Sequence, residues 1–199
     1  MASIDSITLG VDDPADASRF YSSAFGLPEL IKVDTDTAPS RGFRGFTVSL
    51  LAAQPANVKA LFDDAIAAGA TQVKPLTKTF WGFGGVVQAP DGSLWKLASS
   101  SKKDTGPAEK RVDKAVVLIA VENVKASKQF YAQHGLKVGR SFGSYVDFDL
   151  GDSPVGFGLY TRKALAKDAG VPAEGEGSHR LTLNGDIGSF SDPDGFNWN

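Results

Sequence analysis

Apolar and polar side chains alternate from Ile7 to Val11 (Ile-Thr-Leu-Gly-Val), the two-residue period of a half-buried strand. Asp13 follows as a helix N-cap, with Pro14 at N1 and Asp16 at N3. The predicted helix carries Phe20-Tyr21 and closes at Gly26-Leu27. The same pattern returns between Val117 and Leu136: an apolar strand, Asn123 as cap, a helix with Phe130-Tyr131, and Gly135-Leu136 at its end. Between these copies the pattern predicts a strand over Phe43–Leu51. An amphipathic helix comes next, with Val58, Leu61, Phe62, Ala65 and Ile66 on one face and Gly69 just past its end. Short strands are predicted around 71–73, 79–88 and 94–98. The second half predicts strands near 137–140, 145–150 and 155–160, a polar helix over 163–169, a Gly/Glu loop, and a strand over 179–183.

The ends of the two halves also match. Ala89–Lys96 (APDGSLWK) aligns with Asp192–Asn199 (DPDGFNWN), each with a Pro-Asp-Gly turn and a Trp three residues beyond the Gly. Two matches in the same order mark a duplication. The stretch from Ser99 to Arg111 is polar, with Lys, Ser, Gly and Pro and almost no apolar side chain. This divides the chain into a first half (1–99), a linker (100–111) and a second half (112–199).

Composition narrows the function classes. Apolar residues are 42% of 199, with 13 Phe, enough for a sizeable core. Lys and Arg number 21 against 23 Asp and Glu, so no positive field is available for nucleic acid. The absence of cysteine excludes disulfides, a thiolate nucleophile and thiolate-held metals. No signal-peptide pattern and no apolar run of about 20 residues is visible, so a cytoplasmic protein without membrane contact is expected.

The order strand–helix–three strands, used repeatedly, resembles the vicinal oxygen chelate superfamily, which includes glyoxalases, bleomycin-resistance proteins and extradiol dioxygenases. The stretches KTFWGFGGVVQAPDGSLWKLA and GLYTRKALAKDAGVPAEGEGS are similar to ones in its glyoxalase and bleomycin-resistance-like members. The resemblance implies an α+β fold: tandem βαβββ modules in curved mixed sheets with helices on the outer face. The first module (about 4–35) lacks its distal hairpin, and the last (about 178–199) has no room for a helix. The middle two (about 43–99 and 114–160) are complete, and they pair with each other or across a homodimer.

The resemblance also implies a divalent metal in the cup, held by a His or Glu on each first strand and a Glu on each last strand. Carried onto this chain, those positions are Ser6, Lys96, Val116 and Asn199, which do not supply the converging N/O donors a metal needs. No metal or other cofactor is therefore expected. Strand parity turns Ser6, Thr8, Gly10, Lys96 and Val116 toward the cup, and Trp95 and Trp198 beneath helices. A largely apolar pocket follows, with Lys96 offered to an anionic or carbonyl group, Thr8 on its wall, and Trp81, Phe83, Tyr145, Phe157 and Tyr160 at its rim. His179 is a further candidate lining residue, while His134 reads as a helix-end residue. Asp147 and Asp149 alternate on one strand, either as a carboxylate pair or on a solvent face. The expectation is a metal-free protein sequestering an aromatic or amphipathic molecule. The alternatives are a lyase, isomerase or dioxygenase with a non-standard site, and a partner-binding scaffold with a cavity below about 300 Å³.

Overall fold

The computed structural model describes residues 2–199. The predicted caps form. Asp13 accepts the Asp16 amide at 3.0 Å to start α1 (Pro14–Ala24), and Asn123 accepts that of Ala126 at 3.0 Å to start α3 (Val124–Gln133). Gly26 and Gly135, with φ of 66° and 93°, take the left-handed turn after each helix. Each helix follows a first strand, β1 (Ile4–Val11) or β8 (Lys114–Val121).

The unequal modules sort by completeness. One middle module is β4 (Phe46–Leu51), α2 (Pro55–Ala67), β5 (Thr71–Thr79), β6 (Gly82–Gln88) and β7 (Leu94–Ser99). The other is β8, α3, β9 (Lys137–Phe142), β10 (Tyr145–Asp149) and β11 (Val155–Thr161). Together they form one eight-stranded sheet, ordered β5-β6-β7-β4-β8-β11-β10-β9. The shortened outer modules meet in a second sheet: β1 and β2 (Ile31–Thr35) join β13 (Leu181–Gly185), β15 (Asn197–Trp198) and β14 (Phe190–Ser191). In both sheets the first strands pair antiparallel, Val48 opposite Val117 and Ile7 opposite Leu183. With its hairpin missing, β2 pairs directly and parallel to β1, as β7 does to β4. Each sheet therefore draws strands from both sides of the 100–111 stretch.

The two sheets share a core between their backs, where Ile7 and Leu9 meet Val48, Leu50, Val117 and the helices. The duplicated sequence marks are parts of this core. Trp95 packs against Tyr21 and Phe25 at centroid distances of 5.2 and 4.8 Å; Trp198 packs against Tyr131 and Phe157 at 5.6 and 5.1 Å. Each buried phenol needs a partner, and an aspartate in the first Pro-Asp-Gly turn, or just before the second, supplies it. Tyr21 donates to Asp91 at 2.5 Å, and Tyr131 to Asp192 at 2.5 Å. The 100–111 stretch is strapped to the start of α2. Asp104 accepts the Ala56 amide at 2.7 Å, and Gln54 Oε1 accepts the Thr105 and Gly106 amides at 2.7 and 3.0 Å. No helix among the described residues is long and apolar enough to cross a membrane.

Candidate functional site

The concave face of the large sheet holds a helix as well as open space. α4 (Arg162–Ala169) starts at Thr161, whose hydroxyl accepts the Ala164 amide, and ends at left-handed Gly170. Its apolar stripe, Leu165, Ala166 and Ala169, is buried against Phe43, Leu94 and Ala120. A two-stranded ribbon pins the chain that follows, pairing β12 (Gly175–Gly177) with β3 (Ser40–Gly42). Arg162 lies 5.1 Å over the Phe43 ring and donates to the Ala173 carbonyl at 2.7 Å. The helix is a packed plug in one part of the cup.

Beside it a cavity of about 610 Å³ opens over the β4–β7 half of the sheet. Register sets its floor. Val86 lies opposite Lys96, and Gly84 opposite Ala98, so these four share the concave face with Gly82. The floor at Gly82, Gly84 and Ala98 is nearly flat. A Cβ on Gly84 would meet the Leu97 carbonyl at 2.6 Å, which keeps this position bare. Trp81 stands at the β5–β6 turn, 83% exposed, and Phe83 borders the cavity, but its register on β6 turns its ring to the opposite face, against the core. Lys74, Lys96 and Asp168 of α4 form the opposite wall, and Ser49, Leu51 and Asp113 are also part of the lining.

The structure brings together two of the candidates in the cavity, Lys96 and Trp81, with Phe83 at its border and its ring on the core side. It also changes the role of Lys96. The ammonium sits 2.8 Å from both carboxylate oxygens of Asp168, so the anion it faces is the protein's own. Tyr145 and Tyr160 lie in the other half of the cup, with ring centroids 4.8 Å apart. Burial, and then the Asp147 charge, push the Tyr145 phenol up to about 12; burial, and then Asp168, raise that of Tyr160.

Three candidates lie away from the cavity. Phe157 faces the core, because Gly156, Gly158 and Tyr160 take the concave positions of β11, and it packs on Tyr131 and Trp198. Thr8 is in the small sheet, where Asn184 donates to it at 3.0 Å. His179 bridges backbone carbonyls, Nδ1 2.5 Å from Arg44 O and Nε2 2.9 Å from Asp194 O, with its ring stacked 3.8 Å from Phe196. Asp147 and Asp149 are separately engaged by Arg140 and Lys137. His134 stacks between Phe130 and Phe190 at the end of α3. Lys74, Asp168 and the Gly82–Gly84–Ala98 floor escaped the sequence reading. A run of small residues on alternate strand positions was their signal.

The topology also corrects which residues occupy the implied metal positions. Ser6 and Asn199 belong to the small sheet and its edge. About the Val48–Val117 pair, the counterpart of Val116 is Thr47. The counterpart of Lys96, one row beyond Trp95, is Gly158, one row beyond Phe157. Thr47, Lys96, Val116 and Gly158 do not fit a divalent ion: one is an ammonium, two offer no donor, and the Thr47 hydroxyl is a single neutral oxygen. No cluster of three or more His, Asp or Glu suited to a metal exists among the described residues.

A second cavity of about 530 Å³ lies at the start of α1, lined by Asp12, Asp13, Asp16, Arg19, Asp91 and Arg180. Arg180 pairs with Asp12 at 2.9 Å and Arg19 with Asp16, while Asp13 caps α1 and Asp91 accepts from Tyr21 and Ser93, so its polar groups are engaged by the protein itself. The flat, mainly apolar floor distinguishes the cavity beside α4.

No protein-family model and no curated protein matches the sequence. Solved structures do. Glyoxalase I from Zea mays superposes with a TM-score of 0.68 at 15% identity, covering 100% of this chain and 91% of that one. A Bacillus subtilis protein with a provisional dioxygenase assignment gives 0.57 at 13% identity, covering 96% and 71%. Four helices, curved mixed sheets and these superpositions show that the chain has a glyoxalase I-like fold.

Proposed function

We propose that this chain is a metal-free small-molecule-binding protein that sequesters a planar aromatic or amphipathic ligand beside α4. The observation that carries the reading is the floor itself: Gly82, Gly84 and Ala98 leave the sheet backbone bare across a cavity of about 610 Å³. That volume falls within the usual range for small ligands, about 300–1,000 Å³, and above the limit set for a bare scaffold. A ring lying flat on the strands gains dispersion contact that no protein side chain supplies there. Trp81, the exposed indole at the rim, offers a second aromatic face. The resemblance to bleomycin-resistance proteins points to sequestration, and the donor set at the implied metal positions agrees with binding without an ion.

Tryptophan emission tests this. Trp95 and Trp198 are buried, so Trp81 is the indole that a ligand in this cavity reaches. Saturable change in emission on titration with planar aromatic compounds, lost in Trp81→Phe, is the expected result. Compounds that bind with no change in Trp81 emission, or no binding by any planar compound, would overturn the proposal.

A further inference from the structure

Resting on the reading that the cavity beside α4 takes a small molecule, we infer that Lys74 is its anion-receiving group and that its ligands are planar aromatic carboxylates. Lys74 and Lys96 stand in one row across the sheet, each opposite Val86. Their charges are not equivalent. Lys96 is matched by Asp168, which places both carboxylate oxygens at 2.8 Å. Lys74 has no carboxylate within 4.0 Å among the described residues, and its Nζ donates to the Asp168 backbone carbonyl at 3.0 Å. An ammonium has three protons, so two remain for a ligand.

The Lys74 stem is held as well. It passes beside Gly170, where a Cβ would meet its Cγ and Cδ at 2.6 Å, so the chain after α4 leaves room for lysine at this place. The remaining charged group of the lining, Asp113, is bound by Arg111 at 3.0 Å. The wall thus carries one unmatched positive charge next to an apolar floor.

Spacing selects the shape of the ligand. Thr77 and Gly84 form the floor row beyond Lys74 and Val86, two residues along β6, or about 7 Å. A carboxylate on Lys74 places an attached ring over Gly84 and Ala98, and a second fused ring extends toward Gly82 and Trp81. A charge-assisted hydrogen bond to the acid has no counterpart for a neutral isostere.

The test compares naphthoate with naphthamide by Trp81 emission in the wild type and in Lys74→Met and Lys74→Arg. Methionine keeps an apolar stem beside Gly170, and thermal denaturation confirms that each variant is folded. The acid is expected to bind about tenfold more tightly than the amide in the wild type. That preference disappears in Lys74→Met, survives in Lys74→Arg, and shrinks with added salt. Equal affinity for acid and amide, both perturbing Trp81, would overturn the inference and leave the cavity reading standing. A preference retained in full in Lys74→Met would also overturn it, by placing the anion on another group. If neither compound reaches Trp81, both readings fail together.

Discussion

Thr47 carries a buried hydroxyl with no hydrogen-bond partner on the concave side of β4, 2% exposed. An unsatisfied buried hydroxyl costs about 1–3 kcal/mol. Thr47→Val keeps the branched shape and removes the oxygen, so it is expected to raise unfolding free energy by about 1 kcal/mol in urea denaturation; a decrease would show that the oxygen has a partner. All four tyrosines have raised pKa values, with burial as the largest cause in each, and Tyr145 reaches about 12. A phenol raised in the folded state contributes stability that is complete below its ordinary value near 10, and is lost as pH climbs through the folded value. Phenolate absorbance in the native protein is therefore expected to stay flat through the ordinary phenol range and to rise toward pH 12, whereas denatured protein titrates normally. Native titration at the ordinary value would contradict these environments. At this scale much was legible. The matched Phe-Tyr and Pro-Asp-Gly-x-x-Trp marks locate both Tyr–Trp clusters, but not the acceptor: Tyr21 takes the motif's Asp91, and Tyr131 takes Asp192, before the motif. The side taken by Phe157 was also readable, since Gly156 and Gly158 alternate with it and leave the core face to the ring.

α4 is the element that the chain most needed three dimensions to explain. The sequence reads as a polar helix over 163–169, and the burial of Leu165, Ala166 and Ala169 emerges only from the fold. The partner surface, Phe43, Leu94 and Ala120, comes from three distant segments. Leu165 is fully buried, so Leu165→Ala is expected to cost about 3 kcal/mol by denaturant titration. A loss under about 1 kcal/mol would mean that the plug is not packed in solution. The Lys96–Asp168 pair is about one-third exposed on both sides, so solvent screening limits it. Lys96→Met is expected to change stability by less than about 1 kcal/mol. The linker shows a similar limit of sequence reading. Its polarity was plain, but the capping of α2 by Asp104 depends on chain folding back by 48 residues.

For the whole molecule, the matched landmarks were legible and the pairing of strands was not. Two sets of matched landmarks describe halves, yet the complete modules join across the 100–111 stretch, as do the shortened ones. Antiparallel pairing of first strands lets two short modules close one small sheet, and two full modules close the large one. That arrangement places Thr47 and Gly158, rather than Ser6 and Asn199, in the large cup. It also leaves one half of the cup to α4 and the other to the bare floor beneath Trp81. Amide shift mapping with a set of planar aromatic fragments addresses that floor most directly. Shifts concentrated on Gly82, Gly84, Ala98 and the Trp81 indole are the predicted result. Shifts confined to the charged cavity around Asp12, Asp16 and Arg180, or none with any fragment, would contradict a ligand site beside α4.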